Sequence, residues 1–212
     1  SSMYDDEGND LIDVTNEHLQ VMLPYYNKVE LLAGFIAPKY FKGTFKYSKD
    51  TKDQESFDCK INGISYLCYV DIYNEVDDYF NIIEVKATTT KKYLNIGKSY
   101  KDDFGKKKIH SIFTLKNGIY YLREDLNNID ELMSEKEYFK YKQKLFNRLD
   151  PAGHYIYDLA VQRYIIENDL KQNNMSDQID KIHYYLAVLN SEYIFDGEYL
   201  GSEPNYKTDI NG

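Results

Sequence analysis

Residues 64–89 read ISYLCYVDIYNEVDDYFNIIEVKATT, and the fold turns on this stretch. Ile64 to Tyr73 is rich in β-branched and aromatic residues and reads as one strand. Asn74 to Asp78 reads as a turn. Tyr79 to Ala87 reads as the next strand. Its run Phe80 to Ile83 is apolar on both faces, the pattern of a central strand covered on both sides. Upstream, Glu55 to Ile61 is a further strand, joined to Ile64 through Asn62-Gly63, a strong hairpin signal.

Helical patterns flank this block. Val29, Leu32, Ala33 and Ile36 recur at the spacing of one helix face, between Pro24 and Pro38, and predict a helix over about 25–37. Tyr155 to Leu170 is the clearest helix, with Ile156, Leu159, Ala160, Tyr164 and Ile165 as its apolar stripe. Leu149 to Gly153 breaks the charged, helix-like stretch 128–147 that precedes it. Ile182 to Leu189 reads as a final strand. Between strands and helix lies an insertion, about 91–150, containing a short hairpin around Asn117-Gly118. A connection that long usually carries structure or function of its own. The expectation is a single α/β domain over 1–212: helix, three strands, insertion, helix, strand. An acidic arm over 3–20 and a polar tail over the last 20 residues complete it. They suit a fragment of a larger protein or complex.

The chain has 212 residues, 42% hydrophobic and 29% charged, with 26 Lys+Arg against 35 Asp+Glu and a net charge of −9. This excludes a generally basic nucleic-acid coat. It permits a local basic groove, because salt limits the reach of each charge to about 10 Å. No run of about 18 apolar residues is present, so no membrane partner is expected. The N-terminal residues show no basic-then-apolar signal pattern. Cys59 and Cys68 make neither a zinc cage nor a disulfide framework, and two reduced strand cysteines fit a cytoplasmic protein.

The chemistry concentrates at Asp71 and Glu84-Val85-Lys86. Glu84 and Lys86 are two apart in a strand and share a face. Two carboxylates converging beside an ammonium in an apolar sheet are costly unless a divalent cation relieves them. Mg²⁺ is served by one or two carboxylates together with water and phosphate oxygens. With the turn at 74–78, however, Asp71 falls opposite Asn81, about 10 Å along the strand from Glu84. A shared metal then requires a bulge or diverging strands.

Val70-Asp71-Ile72 followed by Ile82-Ile83-Glu84-Val85-Lys86-Ala87-Thr88-Thr89 resembles the signature of the PD-(D/E)xK nuclease superfamily. Asp158-Leu159-Ala160-Val161-Gln162-Arg163-Tyr164 is similar to the Gln-Tyr helix motif of its RecB-like branch, nearest to an uncharacterised bacterial RecB-like family. The likeness covers about 25–87 and 153–195. It implies a restriction-endonuclease-like core and Mg²⁺- or Mn²⁺-dependent hydrolysis of phosphodiester bonds, in DNA. Asp71 and Glu84 would be metal ligands, Lys86 the catalytic lysine, and Gln162 and Tyr164 would approach from the second helix. Glu30 would match an acidic metal ligand on the first helix, and Glu55 is a further outer carboxylate. Gln162 and Tyr164 do not share a helix face, which favours Gln162 as the one that reaches the site.

From Lys86 to Lys108 there are eight lysines and two aspartates, a local +6 that leaves −15 on the rest. Lys91, Lys92 and Lys98 are the expected nucleic-acid contacts, with Tyr93, Tyr100 and Phe104 placed to stack on bases. Two rival readings remain: a binding module on a nuclease fold that does not cut, and a protein-interaction domain docking through the insertion.

Overall fold

The computed structural model describes residues 28–48, 50–128 and 132–192. The arm over 3–20 and the tail beyond 192 lie outside them. The molecule is a mixed α/β structure. Helix α1 (residues 28–36) runs into a 3-10 turn, Ala37–Lys39. Strands β1 (Thr44–Tyr47), β2 (Glu55–Ile61), β3 (Ile64–Val70), β4 (Ile72–Val76) and β5 (Tyr79–Thr89) follow. The insertion supplies α2 (Lys91–Leu94), the hairpin β6 (Gly97–Lys101) and β7 (Lys107–Ser111), the hairpin β8 (Phe113–Lys116) and β9 (Ile119–Leu122), and α3 (Glu135–Lys142). Helix α4 (Pro151–Gln172) and strand β10 (Ile182–Leu189) close the described chain.

The central sheet has the order β1-β4-β5-β10. β4 is antiparallel to β1 and β5, and β10 is parallel to β5. β2 and β3 pair only with each other, through the Asn62-Gly63 turn, where both residues take the left-handed conformation that this hairpin needs. The stretch read as one strand from Ile64 to Tyr73 is therefore two. It breaks at Asp71, where the chain leaves the β2–β3 hairpin and enters the central sheet.

The turn is also displaced. Asn74 to Val76 are strand residues, and the turn is Asp77-Asp78, with Asp77 at φ 48°. Asn74 read as a turn residue because it is polar, yet it is fully buried. Its amide donates to the Lys42 and Thr44 carbonyls and its oxygen accepts from Asn81 at 2.6 Å. Satisfied this way, a buried amide is tolerated in a strand. The register then pairs Ile72 with Ile83 and Tyr73 with Ile82. One step further, Asp71 falls opposite Glu84 instead of Asn81. No bulge is needed between β4 and β5; the strands simply part at Asp71.

Side-chain alternation on β5 assigns the layers. Ile83 and Val85 pack with Ile72, Val29, Ala33 and Ala37 on the α1 side. Leu32, expected in that stripe, is 42% exposed. Ile82 faces the other way, into a core of Cys59, Cys68, Val70, Ile165, Ile166 and Leu170. A second core on that same face holds Tyr93, Ile96, Ile112, Met133, Tyr138, Leu145 and Ala152, with Ile156, Leu186 and Val188 against it. The insertion is thus packed onto the N-terminal end of α4 and the far end of β10.

Helix α4 begins four residues earlier than its periodicity suggested. Asp150 caps it, its carboxylate accepting from Ala152 N at 2.9 Å, and Pro151 occupies the first turn, where it has no hydrogen bond to lose. Its buried residues are Ala152, Gly153, Gln162, Ile165, Ile166, Asp169 and Leu170, while Ala160 and Tyr164 are exposed.

Cys59 and Cys68 are free and buried, and burial pushes the Cys68 thiol up to about 12. Ile166→Ala is expected to cost about 2–5 kcal/mol in urea denaturation, because it opens a cavity between α4 and the β2–β3 hairpin. Ile64→Ala, at a position 58% exposed, is expected to cost less than about 0.5 kcal/mol in the same measurement.

Candidate active site

Glu84 lies on β5 with its side chain on the α4 face, 1% exposed. It sits where the two cores of that face meet. Ile82 belongs to one, and Leu186, opposite Glu84 in the register, packs on the other. Both of its oxygens are engaged. Oε1 is 2.6 Å from Lys86 Nζ, and Oε2 accepts from Gln162 Nε2 at 2.5 Å. Lys86 shares the face because it is two residues along the strand. Gln162 reaches it from the buried side of α4.

Asp71 is half-buried at the break between β3 and β4. Its Oδ2 accepts the Val85 backbone N–H at 2.7 Å, which ties the carboxylate to the strand between Glu84 and Lys86. Removal from water, then the negative charge of Glu84, pushes Asp71 up to about 8. Burial acts to raise Glu84 as well, while the Lys86 ammonium and the hydrogen bonds from Lys86 and Gln162 act in the opposite direction. Burial acts to lower Lys86, and Glu84, Asp158 and Asp71 together more than offset it, so Lys86 stays cationic.

Asp158 completes the group. Its Oδ2 is 3.4 Å from Lys86 Nζ, and it lies one turn before Gln162 on α4, on the same face. Tyr155, three residues earlier, presents its ring 5.7 Å from Lys86 Nζ and 4.5 Å from Lys92 Nζ. Asp158 is not among the site residues expected from the sequence, although it opens the helix motif. The i, i+4 spacing to Gln162 was the signal that it shares the site.

The other expected residues divide. Tyr164 is 55% exposed and is not on the buried face of α4 that carries Gln162, in keeping with the helix spacing. Glu30 is half-buried on α1 and feels the charges of Glu84 and Lys86, with burial raising its pKa first. Among the described residues no group of three or more His, Cys, Asp or Glu is arranged to hold a metal ion, so Glu30 does not join Asp71 and Glu84 in one cage. Glu55 pairs with Lys46 at 2.7 Å. Of the lysines, Lys91 is exposed, Lys92 lies over Tyr155, and Lys98 is paired with Glu137 at 2.9 Å. Tyr93 is a core residue and has no face to offer a base.

No family model matches the chain, and comparisons with curated proteins and with solved structures return no match. Among the described residues no helix is long and apolar enough to cross a membrane.

What the arrangement can do follows from its atoms. The carboxyl groups of Glu84 and Asp158 and the Gln162 carboxamide meet around the Lys86 ammonium and its strand at the boundary of two apolar cores, with the Asp71 carboxyl tied to the Val85 amide between Glu84 and Lys86. The acidic donors are all oxygen, which suits a hard cation more than a soft one. In the metal-free chain, folded Asp71 keeps a proton that the unfolded chain loses near its ordinary value of 3.8, so stability falls as pH rises from there to about 8. Asp71→Asn removes this dependence. With chelator present, the variant's urea midpoint is expected to vary less than the parent's across that window.

Proposed function

We propose that the chain is a metal-dependent nuclease of restriction-endonuclease-like fold that hydrolyses phosphodiester bonds in DNA. The reading is carried by one observation. The strand register brings Asp71 level with Glu84, beside Lys86, where a sheet strand and α4 close around buried charge. Such a concentration of ionisable groups is costly to stability and is more often kept for chemistry than for packing.

Asp71 and Glu84 would hold Mg²⁺ or Mn²⁺, with water and phosphate oxygens completing its shell. When bound, the ion would supply Lewis-acid stabilisation and a more acidic water. The protein's own groups have separable roles. Lys86 keeps a positive charge where negative charge develops on the phosphate. Gln162 fixes the rotamer of Glu84. Asp158 and the ring of Tyr155 hold Lys86 against drift.

One observation favours a second reading, nucleic-acid binding without cleavage. Both Glu84 oxygens already have protein partners, so the carboxylate must give up or share one of them to take a cation. Metal titration separates the two readings, since a pure binder gains no cleavage activity from Mn²⁺.

The test is incubation with single- and double-stranded DNA, with and without Mn²⁺. Cleavage is expected only with metal, and EDTA is expected to abolish it. Glu84→Gln and Lys86→Ala are each expected to reduce the rate by about 100-fold or more. Tyr164→Phe is expected to leave it unchanged. Thermal melts followed by circular dichroism establish that the variants are folded. Cleavage that survives both site substitutions overturns the assignment.

A further inference from the structure

The tip of the β6–β7 hairpin has no part in the chemistry above. Its base is anchored: Ile96 and Ile112 are buried on either side of the Gly97–Ser111 pair, and Lys98 is held by Glu137 of α3. Past Lys98 the character changes, and Tyr100, Lys101, Phe104, Lys106, Lys107 and Lys108 are all exposed. The turn is nonetheless built. Asp102 Oδ1 accepts from Phe104 N at 3.1 Å and from Lys106 N at 2.8 Å. The Asp102 backbone exchanges two further hydrogen bonds, with Lys106 O at 3.0 Å and Gly105 N at 2.8 Å. Gly105, at φ 77°, supplies the left-handed residue that closes it. An ordered turn therefore holds the Phe104 ring 96% exposed.

The charges are equally unrelieved. Lys101 stands directly opposite Lys107, an arrangement of like charges that disfavours strand pairing. Among the described residues, Lys101, Lys106, Lys107 and Lys108 have no carboxylate within ion-pair distance. The hairpin carries five lysines against two aspartates, net +3, on a chain of −9. An aromatic face held in water beside uncompensated ammonium groups is complementary to a strand with unpaired bases. Phosphates neutralise the lysines, and an open base face, which a duplex interior lacks, takes the ring. Only the seven residues 90–96, which include α2, separate this hairpin from the strand carrying Lys86, and Lys92 of α2 lies over the Tyr155 ring that also flanks Lys86.

We propose that the β6–β7 tip is a single-strand-binding prong, in which Phe104 stacks on an unpaired base while Lys101, Lys106, Lys107 and Lys108 contact the flanking phosphates. The inference rests on nucleic acid being the ligand of the Asp71–Glu84–Lys86 site, and it specifies the form: a single-stranded or frayed segment.

The test uses the intact chain in EDTA, with fluorescein-labelled oligothymidylate, a blunt duplex and anionic phosphatidylserine vesicles as probes. The oligothymidylate is expected to bind more tightly than the duplex. Phe104→Ala is expected to weaken that binding by about fivefold or more, the loss of one base–aromatic stack. Phe104→Trp is expected to preserve it and Phe104→Leu not, which separates stacking from apolar contact. Lys101→Ala with Lys107→Ala is expected to shallow the dependence of log affinity on log salt by about 0.7 per lysine. Melting temperatures are expected to be no lower than the parent's, since these side chains are exposed and the Lys101–Lys107 pair opposes strand pairing. No oligothymidylate binding by the parent, binding by Phe104→Ala within about twofold of it, rescue by Phe104→Leu, or Phe104-dependent binding to vesicles alone overturns the proposal. Phe104-dependent binding without cleavage in Mn²⁺ removes the nuclease reading and leaves the prong. Cleavage with Phe104→Ala binding normally does the reverse.

Discussion

Glu84 is a carboxyl group 1% exposed in the middle of a central strand. An isolated carboxylate there would cost several kcal/mol, and in such a position a carboxyl normally takes up a proton. The structure relieves that cost by supplying an ammonium at one oxygen and a carboxamide at the other. Lys86 comes from the same strand by the period of two, so it needs no tertiary arrangement beyond the strand itself. Gln162 lies 78 residues later in the sequence, and α4 must cross β5 at that one place for the bond to form. The position of the helix and the hydrogen bonding of Glu84 therefore depend on each other.

The apolar packing is organised around that point. One core joins Ile82 of β5 to Ile165, Ile166 and Leu170 of α4 and to the β2–β3 hairpin. The other joins the insertion to Ala152 and Ile156 of α4 and to Leu186 and Val188 of β10. Asp158 and Gln162 occupy the stretch of α4 between them. The polar group is thus flanked by apolar clusters that clamp the helix at both ends. Their low dielectric strengthens each charge interaction inside and makes each unpaired group more costly. The insertion packs against the N-terminal half of α4, the half that carries Asp158.

Asp71 shows how a break in secondary structure can position a functional group. β3 belongs to a two-stranded sheet and β4 to the four-stranded one, and the single residue between them belongs to neither. Freed from a cross-strand partner, its carboxylate bonds instead to the Val85 N–H. That amide lies on the strand edge opened by the parting of β3 and β4. A continuous strand from Ile64 to Tyr73 would have directed Asp71 by simple alternation and given its backbone a paired neighbour.

The sequence alone determined those features that depend on local patterns. Asn62-Gly63 and Asn117-Gly118 set their hairpins because they tolerate left-handed backbone. The period of two placed Glu84 and Lys86 on one face, and the helical period separated Gln162 from Tyr164. The first helix, the β5 strand, α4 and β10 were legible for the same reason. The tertiary structure decided what depends on distant partners. Asn74 is a strand residue because the Lys42 and Thr44 carbonyls and Asn81 satisfy its buried amide, and no local pattern carries that information. That shift moved the turn to Asp77-Asp78 and brought Asp71 level with Glu84. Asp158 joined the site, and Lys98 was drawn to Glu137, because α4 and α3 lie where they do. Periodicity specifies which face a side chain occupies; only packing specifies what meets it there.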